Sequence, residues 1–283
     1  AVLDKGIRIA QKMVSDAALL KRQAFDLSHI TLSIKCGASD TTSALASNPV
    51  VGWVADSIVN SGGRAIFTET AELIGAEHIM ARRGANEKIA NRIYEVVARL
   101  EKRIRDAGVD IRGSEPTPGN IQGGLTTLEE KSLGAIIKAG TTSLQGVLEW
   151  AEKPEGKGLF FMDGSPWTPQ LYSGMAAAGA QMMVASLGGG LPVRFHSQPA
   201  YCGIGVPILP VIKVLSNPKD MGEKEYFDLM AGTVIQGKES IPEAGDRLLK
   251  EIIDVASGKP TKTEMLPRYY YELMEFYTTE LRL

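Results

Sequence analysis

Side chains capable of proton transfer follow the ends of two predicted strands in the first quarter of the chain. Lys35 and Cys36 end the first of these strands, and Asp40 follows a few residues later. Glu69 and Glu72 come directly after the second strand. Lysine, cysteine and carboxylate side chains are common acids, bases and nucleophiles in enzymes. This grouping is the main argument from the residues for an enzyme.

Three further features extend the grouping. His78 also follows the second strand, Asp163 ends a third strand, and Gly188–Gly190 ends a fourth. In open parallel α/β sheets, ligands bind beyond the carboxyl ends of the strands. The glycine run fits either a cradle for a phosphate or carboxylate group or a tight turn. It lacks the Gly-x-Gly-x-x-Gly fingerprint, which argues against a dinucleotide-dependent oxidoreductase.

Each of these side chains also has a purely structural interpretation. Cys36, taken alone, is more typical of a small buried apolar residue. Glu69 and Glu72 fit solvated loop charges equally well, and His78 fits a hydrogen bond to a backbone carbonyl. The functional interpretation therefore depends on the strand ends lying side by side.

Alternating strands and helices predict the scaffold that would position these residues. β-Branched and apolar runs predict strands over residues 29–34, 64–68, 159–162, 181–187 and 208–215. Helical spacing of apolar residues predicts helices over 3–24, 48–60, 85–106, 127–138, 168–179, 221–232 and 241–256. Asn48 and Thr127 are the expected helix caps, and 69–84 and 108–126 are expected to be mainly loops. We expect an α/β, Rossmann-like fold: a mostly parallel sheet with helices on both faces.

Composition limits the remaining function classes. The 283 residues are 44% hydrophobic and 23% charged, with a formal net charge of −2, as is typical of globular proteins. This charge favours neither nucleic acid nor an acidic membrane surface, and no segment approaches the roughly 20 apolar residues of a membrane span. The two cysteines, Cys36 and Cys202, fit a reducing compartment and exclude an iron–sulfur cluster held by this chain alone. We therefore expect a cytoplasmic protein with no nucleic-acid or membrane partner.

Several short stretches, in a fixed order, carry a family resemblance. They are IKCGASD (34–40), NP (48–49), FTET (67–70), GAE (75–77), PTPGN (116–120), GGLTT (123–127), EKSLG (130–134), KAGTT (138–142) and MD (162–163). In this order they resemble the carboxyl-terminal part of altronate and galactarate dehydratases, a family that includes the large subunit of sulfolactate sulfo-lyase. We divide the expected single catalytic domain, 1–283, into a leading helix (1–29), a family core (30–217) and C-terminal helices with an aromatic tail (218–283).

The resemblance implies a lyase that eliminates a group next to a carboxylate. Sugar-acid members of the family lose water, and the sulfo-lyase loses sulfite. Family members use a divalent metal, typically Fe²⁺, with Mn²⁺ as the alternative. A metal bound to the carboxylate and α-hydroxyl groups acidifies the α-hydrogen. The resemblance implies a pool of candidate ligands, Cys36, Glu69, Glu72 and His78, and leaves open which subset of them binds the metal.

The same resemblance implies roles for other residues. The candidates for catalysis are Lys35, Lys131 and Asp40. The candidates for substrate binding are Asn120, Thr126, Thr127, Asp163, Gly189, Arg194 and His196. One departure is that Gly-Gly-Gly-Leu (188–191) replaces the Gly-Arg-Gly-Ser of altronate-type members. Arg194, in the longer loop that follows, offers a forked donor for oxyanions, which fits a different acid such as a sulfonate.

The expected partners follow from the same likeness. Full-length relatives carry another domain upstream and a small amino-terminal domain, which is fused or forms a separate subunit. Because this chain begins at Ala1 rather than Met, we expect a portion of a longer, homo-oligomeric protein that binds a small hydroxy acid. The alternative is a non-catalytic module or subunit that only binds small acids.

Overall fold

A seven-stranded sheet forms the centre of the computed structural model, which describes residues 2–165, 168–189, 206–219 and 226–265. The strands are β1 (Thr31–Gly37), β2 (Arg64–Thr68), β3 (Leu144–Leu148), β4 (Gly158–Met162), β5 (Met182–Leu187), β6 (Val211–Leu215) and β7 (Leu229–Met230). Their order is β3-β4-β2-β1-β5-β6-β7, and all pairings between them are parallel. The predicted parallel α/β sheet is confirmed.

Helices cover both faces of this sheet. The helices of the described residues are α1 (Val2–Ala18), α2 (Asn48–Asn60), α3 (Glu77–Ala81), α4 (Glu87–Asp106), α5 (Pro118–Gln122), α6 (Leu128–Ala135), α7 (Thr168–Ala177), α8 (Gly232–Ile235) and α9 (Ile241–Ala256). The larger apolar core includes buried residues of α2, α4 and α9, and the smaller core includes those of α7 on the opposite face. This arrangement confirms the expected Rossmann-like layering.

β1 is the strand that carries the candidate site residues into the middle of the sheet. It pairs with β2 on one side and β5 on the other, and its first six residues are buried. Leu32 and Ile34 belong to the larger core. Because side chains alternate along a strand, Cys36 leaves β1 on the same face as Leu32 and Ile34, and Lys35 leaves it on the opposite face.

Two strands were not predicted from the sequence. β3 contains Gln145 and Gly146, so its apolar pattern is too broken to indicate a strand. β7 has only two residues and falls within 221–232, where a helix was predicted. For the described part of that segment the helix prediction is wrong, since α8 begins only at Gly232.

The helix predicted to begin at Asn48 is longer than expected. A π-helical turn, Ser43–Ser47, precedes α2 and leads directly into it, so Asn48 is not a cap. The Asn48 side chain instead donates to the carbonyl of Gly134 at 2.9 Å and accepts from Ser186 Oγ at 2.6 Å. These bonds fix α2 against α6 and β5, close to the carboxyl edge of the sheet.

α1 lies apart from the core formed by the other helices. All of its described residues are exposed, including apolar ones such as Leu3 and Ile7. Within the part of the chain that the structure describes, no helix has the length and apolar character needed to cross a membrane.

Gly52 allows α2 to approach the 3₁₀ turn Ile136–Ala139. A Cβ at Gly52 would lie 2.4 Å from the carbonyl oxygen of Ile137. We expect Gly52→Ala to lower the free energy of unfolding by about 1–3 kcal/mol, because neither backbone is free to retreat. Gly6→Ala is the matched control: that helix position has no atom within 4 Å, and alanine favours helix. Equal urea midpoints for the two variants would contradict this close approach.

Candidate active site

Four buried side chains meet at the carboxyl edge of the sheet, next to the ends of β1 and β2. Lys138 Nζ donates to Cys36 Sγ at 3.0 Å, to Glu69 Oε2 at 2.9 Å and to Glu72 Oε2 at 2.5 Å. Cys36 Sγ in turn donates to Glu72 Oε2 at 2.8 Å. We call these four residues, all of them buried, the Cys36 cluster.

Glu69 adopts a backbone conformation that is uncommon for a residue with a side chain. Its φ of 85° and ψ of 77° lie in the left-handed region. Its carboxylate accepts a hydrogen bond from the backbone N–H of Cys36 at 2.8 Å. The 3₁₀ turn Thr70–Leu73 follows at once and brings Glu72 to the same point. Strained backbone of this kind is concentrated at functional sites, where surrounding contacts hold it in place.

Lys138 reaches the cluster from the 3₁₀ turn Ile136–Ala139. Its side chain is only 1% exposed. Lys138 was not among the site residues predicted from the sequence. A signal was nevertheless present: Lys138 is the one charged residue within the apolar stretch 135–139 (AIIKA).

Burial and mutual charge set the protonation of the Cys36 cluster. Burial, reinforced by the charge of Glu72, raises the pKa of the Cys36 thiol well above its usual value, and burial also raises the pKa of Glu69. Burial acts on Glu72 in the same direction, but the charges of Lys138 and Lys131 and the hydrogen bonds from Cys36 and Lys138 together outweigh it, so the pKa of Glu72 is lowered. Burial opposes the charge on Lys138, yet its three partners raise its pKa well above the usual value. The cluster therefore combines a neutral thiol, an ammonium group and an ionised Glu72.

Cys36, Glu69 and Glu72 could hold a metal ion. One ligand atom from each lies within 4.8 Å of the other two. Thiolate and carboxylate groups are suitable ligands for Fe²⁺. The Lys138 ammonium group lies among these three side chains, so their environment suits a cation. His78, the fourth predicted ligand, is exposed on α3 and lies outside this group.

Lys35 reaches the same edge from the other face of β1. Its Nζ lies 3.7 Å from Glu69 Oε1, and its side chain is 8% exposed. The Lys35 side chain packs over Gly37, where a Cβ would lie 3.5 Å from Nζ. Lys35, Cys36, Glu69 and Glu72 are therefore neighbours, as their positions at the strand ends predicted.

A second polar group lies beside the cluster and is centred on Lys131. Its Nζ donates to Glu115 Oε2 at 2.5 Å and to Asn120 Oδ1 at 3.3 Å. Burial opposes the charge, but the carboxylates of Glu72 and Glu115 outweigh it and raise the pKa of Lys131. Asn120 Nδ2 donates to the carbonyl of Ser39 at 2.7 Å. Lys131 is thus held as a cation, and Asn120 joins it to the loop after β1. Glu115, which lies in the predicted loop 108–126, was not among the site residues predicted from the sequence.

Asp40 and Gly189, predicted as catalytic and substrate-binding residues, contact each other. One Asp40 oxygen accepts from Ser43 N at 2.9 Å and Thr42 Oγ1 at 2.6 Å, and the other accepts from Gly189 N at 2.7 Å. The contact joins the loops after β1 and β5, where the strand order changes direction. The Asp40 carboxylate therefore holds the loop after β1 against the loop after β5.

Thr126 and Thr127, predicted to bind substrate hydroxyl groups, are exposed and belong to the start of α6. Thr127 Oγ1 accepts from Glu130 N at 3.1 Å, which confirms the predicted cap. The backbone N–H and hydroxyl of Thr126 donate to Glu130 Oε2 at 2.7 Å and 2.5 Å. The structure does not bring either threonine into the Cys36 cluster.

Asp163 supports the turn that carries Glu72. Its carboxylate accepts hydrogen bonds from Thr70 Oγ1 and from Arg99. Thr70 is further held by Gly164, whose backbone N–H donates to Thr70 Oγ1 at 3.0 Å. The remaining substrate-binding candidates, Arg194 and His196, lie outside the described residues.

A parallel α/β sheet with thiol, carboxylate and ammonium groups buried at its carboxyl edge is the arrangement of an α/β enzyme. Comparison with known families makes the assignment more specific. The family described as D-galactarate/altronate dehydratase, C-terminal, matches residues 27–279, and the chain belongs to this family. The resemblance noted in the sequence is confirmed.

Named relatives of the chain are lyases. The (2R)-sulfolactate sulfo-lyase subunit beta of Chromohalobacter salexigens is 38% identical over 95% of this chain and 67% of its own length. The galactarate dehydratase (L-threo-forming) of Escherichia coli is 30% identical over 89% of this chain and 46% of its own length. The altronate dehydratase of Bacillus subtilis is 29% identical, with coverages of 91% and 49%. The chain thus spans about half the length of the two dehydratases and two thirds of the sulfo-lyase subunit.

Proposed function

We propose that this chain is the catalytic portion of a metal-dependent lyase that removes a β-leaving group from a small 2-hydroxy acid. The observation that carries the proposal is the buried Cys36–Glu69–Glu72 donor set, which lies at the carboxyl edge of the sheet in a member of this lyase family. A buried set of this kind is costly to maintain unless it binds a cation.

We assign Fe²⁺ to Cys36, Glu69 and Glu72, because a soft thiolate beside two carboxylates suits it better than Mg²⁺. His78 is omitted from this ligand set because it is exposed on α3. When bound, the metal would supply a Lewis acid that polarises the substrate carboxylate and α-hydroxyl groups. The thiol, which burial keeps protonated, would lose its proton on metal binding.

The two lysines beside the cluster take different roles. Lys131 stays a cation between Glu115 and Asn120, so it suits the binding of a substrate oxyanion or support for the leaving group. Lys35 is the other lysine at the strand ends, next to Glu69, and we assign it the removal of the α-proton. A positioned base of this kind contributes roughly 10²–10⁴-fold to the rate.

(2R)-Sulfolactate is the substrate we propose first. The sulfo-lyase subunit is 38% identical to this chain, against 30% and 29% for the two dehydratases, and the chain covers more of its length. Lys35 takes the proton from C2, the C3–S bond breaks with its electron pair on sulfur, and sulfite leaves. The resulting enol takes up a proton at C3 and loses the proton of its hydroxyl group, which gives pyruvate. Because the relative is named a subunit, we also propose a second subunit as partner.

The metal assignment predicts that protein purified anaerobically with Fe²⁺ holds about one iron per chain. Cys36→Ala, which removes the sulfur donor, is expected to lower iron affinity by roughly tenfold or more. Elemental analysis after gel filtration, with an equilibrium titration for affinity, measures both quantities. Thr126→Ala is the matched control, since this threonine lies at an exposed cap, and its iron content is expected to equal that of the parent protein.

Turnover assays separate the remaining alternatives. Sulfite release from (2R)-sulfolactate, with the partner subunit present, supports the proposed substrate. A 2-keto acid formed from galactarate or altronate instead would assign the site to dehydration. Binding of these acids without turnover, in iron-loaded complete protein, would make the chain a small-acid-binding module.

A further inference from the structure

We propose that Lys138 is a resident cation that holds the metal-ligand set together and must be displaced before a metal ion binds. This inference rests on the proposed function, since it takes Cys36, Glu69 and Glu72 as the ligands. Metal loading would then be an exchange of one cation for another at the same three donor atoms.

Lys138 donates one hydrogen bond to each residue of the proposed ligand set. An ammonium group has three N–H donors. Those of Lys138 are directed at Cys36 Sγ, Glu69 Oε2 and Glu72 Oε2, at 3.0, 2.9 and 2.5 Å. Lys138 is therefore already hydrogen-bonded to one ligand atom of each residue that would coordinate the metal ion.

The two cations cannot share this position. Like charges less than about 3 Å apart repel strongly in a buried site, where water does little to screen them. Lys138 is 1% exposed, so its charge has no solvent around it in its present position. A metal ion that coordinates all three donors must therefore expel the ammonium group from the cluster.

A resident cation also has a structural use. Two buried carboxylates with no countercharge would repel each other and oppose folding. Glu69 and Glu72 each accept a bond from Lys138, which brings them together before any metal arrives. The Gly52 contact holds the turn that carries Lys138 against α2, so the position of the lysine is set by the fold. Lys138 thus holds the ligand side chains together and also competes with a metal ion for them.

The test is a titration of the chain with Mn²⁺ alone, in which the EPR signal of free Mn²⁺ reports binding. Lys138→Met keeps the length of the side chain and removes the competing charge. We expect it to bind Mn²⁺ roughly 10- to 100-fold more tightly than the parent protein, because the repulsion between the two cations is removed. Lys88→Met is the control: it makes the same substitution at an exposed lysine of α4, outside the ligand set. Its affinity is expected to change by less than threefold.

The outcomes distinguish this inference from the proposed function. Equal Mn²⁺ affinity for the parent protein and Lys138→Met would overturn the inference and leave the metal site standing. No binding of Mn²⁺ or Fe²⁺ by either protein would overturn the metal site itself. If Lys138→Met does not fold, the second test of the exchange is a crystal of the parent protein soaked in Mn²⁺. Anomalous density among the three donors with the Lys138 side chain withdrawn supports the exchange, and density elsewhere overturns it.

Discussion

Glu72→Ala is expected to lower the free energy of unfolding by about 3 kcal/mol, in the absence of added metal. Removing one member of a buried ion pair typically costs 3–5 kcal/mol, because the partner charge stays buried without compensation. Here the partner is Lys138, which loses its 2.5 Å bond, and the Cys36 thiol loses its acceptor. Glu69 keeps its bond to Lys138, so we place the effect at the lower end of that range. Guanidinium unfolding followed by fluorescence measures it.

Two further variants test whether the loss of stability comes from leaving a charge buried without its partner. Glu95→Ala removes one of the two carboxylate partners of Arg92, in an ion pair near the surface, and such pairs contribute about 0.2–1 kcal/mol. The double variant Glu72→Ala/Lys138→Met removes both charges and is expected to recover more than half of the lost stability. Additive losses in the double variant would show that the two side chains act independently, against the geometry of the cluster.

Lys35→Met is expected to reduce kcat roughly 10²–10⁴-fold in the complete, iron-loaded enzyme. Lys35 is the lysine we assign as base, 3.7 Å from Glu69 at the ends of β1 and β2. Because Lys35 is not among the proposed metal ligands, iron content should stay within about twofold of the parent protein. Sulfite release and elemental analysis on the same preparation measure the two quantities.

The control for this loss is Lys88→Met, which makes the same substitution at an exposed lysine in the first turn of α4. Its kcat should match that of the parent protein. A Lys35 variant that retains more than a tenth of the parent rate would remove the base assignment. A variant that loses iron along with activity would instead make Lys35 a residue that positions Glu69.

The strand ends were the part of the site that the sequence predicted well. Cys36 and Glu69 lie 33 residues apart in the chain, yet they meet because parallel strands end at one edge of the sheet. His78 lies outside the cluster, exposed on the short helix α3, and no local sequence pattern reports which way so short a helix turns its side chains. Thr126 and Thr127 were assigned to substrate from a motif whose local meaning is a helix cap.

Lys138 shows why the remainder could not be predicted. Periodicity places a charged residue of a helix on its solvated face, and only tertiary packing reverses that assignment. The packing here depends on Gly52, which lets two backbones approach, and on acceptors more than 60 residues away in the chain. The edge strands β3 and β7 were missed for a related reason, since β7 is defined only by its pairing with β6.

The position of β1 in the sheet determines when this domain can be completed during synthesis. Leu32 of β1 pairs with Met182 of β5, and the bond from Thr31 to Gln181 spans 150 residues. At about 5–20 residues per second, a ribosome needs roughly 7 to 30 seconds to produce β5 after β1 has emerged. During that interval one edge of the central strand has no partner, and an unpaired apolar edge invites association between chains. Lys35 places a charge within that strand, and a charge at such a position is expected to disfavour that association.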